Sequence, residues 1–367
     1  MSAGPVSAGA PAPRRVARWW AGPPAPARLT NLKLLLALAV TFASGVGAVA
    51  TGSGRGGWIV VAHGVAAMVV VALVPWKTRV VRAGLRRRPM ARRAGRRSGP
   101  WASLALAALT ILALLFGLGY ATGLVRSIGG VAGMWLHVAF ALALVPLLIW
   151  HALARRARPR RTDLSRRTLL RAGVVGAVGG GLYAATTLAV NLFPLPGSTR
   201  RFTGSYETGS FSPAAMPTTI WLSDTPPVLD AATWRLAVLD GAGRYELTLA
   251  QLAGSGVTRR ATLDCTSGWY AEQDWTGVPV ARLVREVGAA RSLWVHSVTG
   301  YWVRFPVADL DSLLLATAVG GRALSVGHGF PVRLVAPGRR GYWWVKWVDR
   351  IELRTTPWWW QPPFPVT

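Results

Sequence analysis

Five apolar runs, near residues 34–51, 57–75, 101–125, 131–153 and 172–192, constrain this chain more than anything else in it. Each is close to the ~20 residues an α-helix needs to cross the hydrocarbon core of a bilayer. The segments between them differ sharply. The gaps after the first and third runs are short and carry one arginine each, Arg55 and Arg126. The gap from Trp76 to Pro100 carries ten basic residues, and that from Ala154 to Arg167 carries seven. Basic loops stay on the cytoplasmic side. The pattern therefore predicts a cytoplasmic N-terminus, two outer turns and a fifth helix running outward, which delivers everything after about Asn191 to the extracytoplasmic side.

A formal charge of +28 on 367 residues would ordinarily suggest a nucleic-acid partner. Its distribution excludes that reading. Residues 1–200 hold 26 Lys and Arg against one acid, Asp163, whereas residues 201–367 hold 16 against 13. The excess charge sits between apolar runs, so it records which side of a membrane each loop faces. Four segments follow. Residues 1–28, rich in Ala, Pro, Gly and Arg, read as a disordered cytoplasmic tail without the order of a signal peptide. Residues 29–160 read as a four-helix transmembrane bundle. Residues 161–198 hold a basic motif and the fifth helix, and residues 199–367 an extracytoplasmic domain.

The basic motif is Ser165-Arg166-Arg167-Thr168-Leu169-Leu170, ahead of a Gly/Ala-rich run from Ala172 to Leu192. It is similar to a twin-arginine export signal, which serves domains exported already folded. Flanking charge of any inner helix end is the simpler alternative. No compelling cleavage site follows, so the helix is expected to remain as an anchor.

Three histidines lie inside the apolar runs: His63, His137 and His151. His63 and His137 each follow the outer start of their run by six residues, about 9 Å at 1.5 Å per residue. Two imidazoles at equal depth on different helices are the axial set for one b-type haem, as in four-helix b-type cytochromes. The alternative is that each hydrogen-bonds a neighbouring helix, and the bundle serves as a quinone-facing anchor without iron. His151 has no inner partner on the second helix, so a second haem is not expected.

From Thr199 onward the texture becomes that of an α+β domain. Short β-rich runs appear at 234–239, 244–249, 258–264, 293–297, 302–305, 332–335 and 343–354, with helical patches at 280–287 and 307–315 and a Pro-rich lead-in at 212–227. The sole cysteine, Cys265, ends one of these strands ahead of a Thr-Ser-Gly turn. That placement suits an outward-facing thiolate. A hydrolase would need His296 or His328 as base, and a buried inert thiol is the plain alternative. One cysteine also excludes a disulfide framework, a multi-cysteine zinc site and a cysteine-ligated iron–sulfur cluster within the chain.

Longer motifs surround the cysteine. Leu263-Asp264-Cys265 is followed by Trp275-Thr276-Gly277-Val278-Pro279-Val280. Further on come His328-Gly329-Phe330-Pro331-Val332-Arg333-Leu334-Val335, Pro337-Gly338 and Val345-Lys346-Trp347-Val348. Together, over about residues 225–355, these resemble the molybdopterin-binding region of the sulfite oxidase superfamily. The resemblance implies the sulfite-oxidase-like fold and a molybdenum–molybdopterin cofactor whose metal takes the Cys265 thiolate. It also implies that His328, Arg333 and Lys346 hold the pterin and its phosphate, and it suggests Tyr301 as a residue near the metal. Arg339 and Arg340 could help to hold the phosphate, though that turn varies in the family and a solvated turn is the simpler account.

Departures from the pattern bear on substrate. Animal and plant sulfite oxidases follow the metal cysteine with an Asn-Arg pair, and here Thr266-Ser267-Gly268-Trp269 follows. Their immunoglobulin-like dimerisation domain is not expected after Trp358-Trp359-Trp360 either. The chain is closer to the bacterial membrane-anchored branch, which includes reductases of sulfoxides. The expected protein is a multi-pass, membrane-anchored molybdenum oxidoreductase moving an oxygen atom to or from a small substrate, such as a sulfoxide or sulfite. Its electrons would be exchanged through the helices with a quinone or cytochrome. The rival is an inactive redox or binding module that keeps the fold without turnover.

Overall fold

The computed structural model describes residues 27–86, 101–154, 163, 165–220 and 224–362. The first 26 residues of the expected tail, and most of the arginines in the two basic gaps, lie outside the described residues. Five helices among the described residues are long and apolar enough to cross a membrane: α1 (Ala27–Ala50), α2 (Gly57–Arg86), α3 (Trp101–Thr122), α4 (Gly133–Ala154) and α5 (Arg166–Leu192). Their surfaces carry exposed large apolar side chains, among them Leu36, Leu104, Ile111, Leu115 and Ile149. Apolar surface of this extent marks contact with a membrane or with another protein. Helices α1 and α2 pack together, as do α3 and α4, and α5 packs on α2.

Two boundaries differ from the sequence reading. Helix α2 continues eleven residues past the expected end at 75, through Pro75 and into the basic gap, to Arg86. Lys and Arg are good helix formers, and Lys77 bonds the Asn31 side chain at 3.0 Å. Helix α5 begins at Arg166 with Ser165 at its N-cap, so the twin arginines open the helix instead of preceding it. Asp163 just upstream forms an ion pair with Arg28 at the start of α1.

The C-terminal domain is built on two sheets. Strands β1 (Ser127–Ile128) and β2 (Val131–Ala132) form only a small hairpin between α3 and α4. The first domain sheet holds β3 (Tyr206–Glu207), β6 (Val257–Asp264), β7 (Trp269–Pro279), β10 (Leu314–Val319), β11 (Arg322–Ala323) and β12 (Arg333–Val335). The second, in the order β5-β4-β13-β8-β9, holds β4 (Arg235–Asp240), β5 (Gly243–Thr248), β8 (Ser292–Ser297), β9 (Trp302–Pro306) and β13 (Val348–Arg354). Short helices α6 (Leu249–Gly254) and α7 (Val280–Leu283) fill the connections. Leu236, Leu293, Val295, Phe305 and Ile351 of one sheet join Leu263, Trp275, Leu315 and Leu334 of the other in a single buried core.

Strand β7 is the centre of its sheet and was not among the expected strands. Its inward positions include Ala271, Gln273 and Gly277 between outward Glu272, Asp274 and Thr276, so the apolar alternation is weak. The expected helical patch at 307–315 is a 3-10 turn, Val307–Asp309, leading into β10. Leu313 to Ala316 are all fully or almost fully buried. A continuous apolar run of that length does not distinguish a strand buried on both faces from a helix. The run at 343–354 is a strand only from Val348, because Gly341–Trp343 forms a 3-10 turn.

Trp275 packs its ring 5.5 Å from that of Trp344 and donates its Nε1 hydrogen to the Ala261 carbonyl. Truncating so large a buried side chain costs about 3–5 kcal/mol. Trp275→Ala is therefore expected to lower the unfolding free energy of the domain by that amount in denaturant titrations, and a loss below about 1 kcal/mol would contradict this core assignment.

Candidate cofactor site at the Cys265 turn

The last paired residues of β6 and β7 are Asp264 and Tyr270, so Cys265 is the first residue of the hairpin turn that joins them. The turn closes through Cys265 N–H to the Trp269 carbonyl at 2.8 Å and Gly268 N–H to the Cys265 carbonyl at 3.2 Å. Gly268 has φ +97°, a conformation that favours glycine. Cys265 is 7% exposed, and its Sγ lies 3.0 Å from the Ser267 hydroxyl. Ser267 in turn meets the Thr219 hydroxyl at 3.3 Å, and Thr219 accepts from Trp269 Nε1 at 3.0 Å. The Pro-rich lead-in therefore crosses the cysteine turn at Thr219. Among the described residues no histidine hydrogen-bonds the thiol: His296 sits on β8 beside Arg350, and His328 bonds Ser325 and Met216.

Asp264 anchors the strand end from behind. Its buried carboxylate accepts from Thr203 at 2.8 Å, Ser205 at 2.6 Å and Arg340 at 2.6 Å, with Arg201 Nε at 3.2 Å. Arg340 also donates to the Cys265 carbonyl at 3.1 Å. The reading of Arg339 and Arg340 as a solvated turn is corrected here. Arg340 is 3% exposed and built into the cysteine turn, while half-buried Arg339 pairs with Asp309. A buried carboxylate beside a thiol repels a thiolate, and the two guanidiniums that neutralise it remove that objection.

His328, Arg333 and Lys346, far apart in sequence from Cys265, come together next to it. His328 ends a 3-10 turn (Val326–His328), with the Ser325 hydroxyl 2.8 Å from Nδ1 and the Met216 carbonyl 3.1 Å from Nε2. Gly329 follows at φ +103°, and a Cβ there would lie 3.0 Å from Arg333 Cβ and 3.1 Å from Lys346 Cβ, so only glycine lets these two chains approach. Arg333 is 1% exposed; it donates to the His328 carbonyl at 3.1 Å and lies over the Trp275 and Trp344 rings. Its Nε has no partner. Lys346 donates to the Thr219 carbonyl at 2.9 Å and the Gly327 carbonyl at 2.5 Å.

Neither cation has a carboxylate ion-pair partner among the described residues. Burial pushes the Arg333 guanidinium down to about 9, offset in part by the Cys265 charge. Burial, and then repulsion from Arg333, pushes the Lys346 ammonium down to about 7. Two desolvated cations, an orphaned guanidinium nitrogen and a nearby thiol make a site that lacks an anion. A phosphorylated ligand with a sulfur-seeking metal fits that deficit. Among the described residues no three His, Cys, Asp or Glu side chains converge as a metal site, so a metal at Cys265 would draw its other donors from a cofactor.

Tyr301 lies at the turn between β8 and β9, and its buried hydroxyl donates to the Tyr342 carbonyl. That carbonyl belongs to the turn whose Gly341 packs on Cys265, where a Cβ would lie 3.1 Å from the Cys265 Cα. In the bundle, His63 on α2 and His137 on α4 are brought together, with ring centroids 5.9 Å apart. Asp264, Ser267 and Thr219 were not singled out from the sequence as site residues, and Arg340 was named only beside the simpler account of a solvated turn. Asp264 and Ser267 flank the cysteine within the motif, whereas Thr219 and Arg340 carry no signal short of the fold.

Residues 223–360 match the family model for the oxidoreductase molybdopterin binding domain. This part of the chain is thus similar to the molybdopterin-binding domain of molybdopterin-dependent oxidoreductases, sulfite oxidase among them. The chain is 36% identical over 94 residues to a nitrate reductase [NADPH] of Phytophthora infestans, covering 22% of this chain and 10% of that one. It is 28% identical over 165 residues to human mitochondrial sulfite oxidase, covering 35% and 30%. It is 29% identical over 130 residues to the putative protein-methionine-sulfoxide reductase subunit YedZ1 of Azospira oryzae, covering 34% and 50%. The chain spans half or less of the length of each of these relatives.

The depressed Lys346 value has a consequence for the cofactor-free protein. A lysine whose folded value lies near 7 contributes stability that is present above its ordinary value of 10.5 and is lost as pH falls through about 7. The stability gain of Lys346→Met over wild type is therefore expected to be largest near pH 6 and to shrink as pH rises toward 10. Paired thermal melts across that range measure it, and a pH-independent difference would contradict the assignment.

Proposed function

We propose that this chain is a membrane-anchored molybdenum oxidoreductase that transfers an oxygen atom, with two electrons, to or from a small substrate such as a sulfoxide or sulfite. The observation that carries this reading is the thiol of Cys265 beside two buried cations that have no carboxylate partner. When bound, the molybdenum–molybdopterin cofactor supplies the two-electron centre and the exchangeable oxygen. Cys265 would be the protein's thiolate ligand, with the Ser267 hydroxyl orienting Sγ. Arg333 would fork onto phosphate oxygens, and Lys346 would add a point charge. His328 would hold the pterin edge while keeping the Gly329 turn in place. Tyr301 would act through the Tyr342 carbonyl by seating the Gly341–Trp343 turn against Cys265.

We place this domain on the extracytoplasmic side. The outer ends of the helices, as the charge pattern orients them, are the ones that meet the domain: a Cβ on Gly52, between α1 and α2, would lie 2.6 Å from Arg339, and the Tyr120 hydroxyl at the end of α3 donates to the Gly268 carbonyl at 2.7 Å. The twin-arginine resemblance fits the same orientation, since it suits export of a domain folded around its cofactor. The relation to a subunit named for methionine sulfoxide reduction favours a sulfoxide among the candidate substrates.

We further assign His63 and His137 as the axial pair of one b-type haem. Each Nδ1–H donates to a backbone carbonyl, Thr41 at 2.8 Å and Ala113 at 2.7 Å, which leaves Nε2 as the coordinating nitrogen on both rings. Glycines face both rings: a Cβ on Gly45 would lie 3.1 Å from His63, and one on Gly117 would lie 2.8 Å from His137. A haem bound there would carry single electrons between the domain and a quinone or cytochrome.

Metal analysis of the purified full-length protein tests the first assignment. Wild type is expected to hold molybdenum, and Cys265→Ala to lose most of it together with oxygen-atom transfer activity; undiminished molybdenum in the variant would sink the reading. For the haem, a reduced-minus-oxidised spectrum should show a b-type α band that His63→Ala removes. Its absence from wild type, or its persistence in the variant, would end that assignment.

A further inference from the structure

The last turn of α3 reaches into the cysteine turn. Tyr120 is 4% exposed, and its hydroxyl donates to the Gly268 carbonyl at 2.7 Å. Gly268 is the residue whose N–H returns to the Cys265 carbonyl, and its neighbour Trp269 holds the Cys265 N–H. A Cβ on Gly268 would lie 2.0 Å from the Tyr120 hydroxyl, so the glycine is required both by its φ and by the tyrosine. Tyr206 completes a closed set of bonds. Its N–H donates to the same Gly268 carbonyl at 2.9 Å, and its hydroxyl donates to the Tyr120 carbonyl at 2.5 Å. The two rings meet edge to face at 5.2 Å, with Arg126 from the β1–β2 side over Tyr206 at 4.4 Å.

We propose that Tyr120, a residue of a membrane helix, is a positioning residue for Cys265, so that the bundle and the domain together make one site. The proposal rests on the assignment of Cys265 as the metal ligand. Its physical content is narrower: the tyrosine hydroxyl fixes the peptide that closes the turn, and the turn fixes the direction of Sγ. Tyr206 supplies the contrast. Its hydroxyl ties the domain to α3 without touching the turn's carbonyl, so removing that hydroxyl weakens the attachment while leaving the Tyr120–Gly268 bond in place.

Because Cys265 is the sole cysteine of the chain, its reactivity can be read directly in the full-length protein in detergent. Cofactor-free Tyr120→Phe is expected to be alkylated by iodoacetamide about fivefold faster than wild type, the change that loss of one ordinary hydrogen bond gives. Tyr206→Phe should stay within about twofold of wild type. Gly268→Ala, whose methyl would take the hydroxyl's place, should accelerate alkylation as Tyr120→Phe does. In the molybdenum-loaded protein, Tyr120→Phe but not Tyr206→Phe should shift the electron paramagnetic resonance signal of the one-electron-reduced metal. A wild-type alkylation rate in Tyr120→Phe would overturn the proposal. Equal acceleration in both phenylalanine variants would also do so, since it would make the contact a general staple. If Cys265→Ala retains molybdenum, the ligand assignment fails separately, and the alkylation rates still decide the role of Tyr120.

Discussion

Burial of Arg333 and Lys346, neither with a carboxylate ion-pair partner among the described residues, is the constraint around which the domain is arranged. Desolvating a cation without a counter-ion costs several kcal/mol, and the site carries two, held only by carbonyl oxygens and aromatic faces. The fold spends considerable structure on keeping them there. Gly329 gives up its side chain so that they can approach, Trp275 and Trp344 cover the guanidinium, and the Pro-rich lead-in is drawn across the site at Thr219. By contrast Asp264, a few residues away in space, is neutralised by Arg340 and Arg201 and solvated by two hydroxyls. One side of the cysteine turn is thus built on a neutralised carboxylate, and the other on two buried cations held by carbonyl oxygens and aromatic rings.

The helices solve a different problem with the same turn. Helix α3 passes His137 at Gly117 and three residues later, in its last turn, sets the Tyr120 hydroxyl on the Gly268 carbonyl. A single helix therefore connects the level of the two histidines with the cysteine turn. Such an element ties the geometry around the two histidines to that of the cysteine turn. The close glycine contacts at Gly123 and Gly197 bring the end of α3 and the turn after α5 (Pro196–Thr199) into backbone contact and leave little play between them.

Much of this was legible in the sequence, and the limits are instructive. Five apolar runs located the five helices, but α1 and α5 begin six or seven residues ahead of their runs and α2 continues through Pro75, because polar and basic residues sustain a helix as well as apolar ones. The motifs around Cys265 and from His328 to Val348 named the site residues, and equal spacing from the outer turns brought His63 and His137 to one level. Strand β7 was missed because its inward face carries Ala271, Gln273 and Gly277, and β10 was taken for a helix because it is apolar on both faces. Arg340 looked like a loop arginine, since nothing local in sequence announces that Asp264 will meet it. Tyr120 was not singled out in the sequence for the same reason. The tryptophans from Trp343 onward divide: Trp343, Trp344 and Trp347 are buried in the domain, whereas Trp359 and Trp360 remain exposed.

The central claim is that the Cys265 thiolate completes a molybdenum site at a turn shaped for it. X-ray absorption at the molybdenum edge of the purified full-length protein tests it most directly, because it counts sulfur neighbours. The account predicts a sulfur-rich shell in wild type that loses one sulfur in Cys265→Ser. A shell identical in the two proteins, or a wild-type protein without molybdenum, would contradict it.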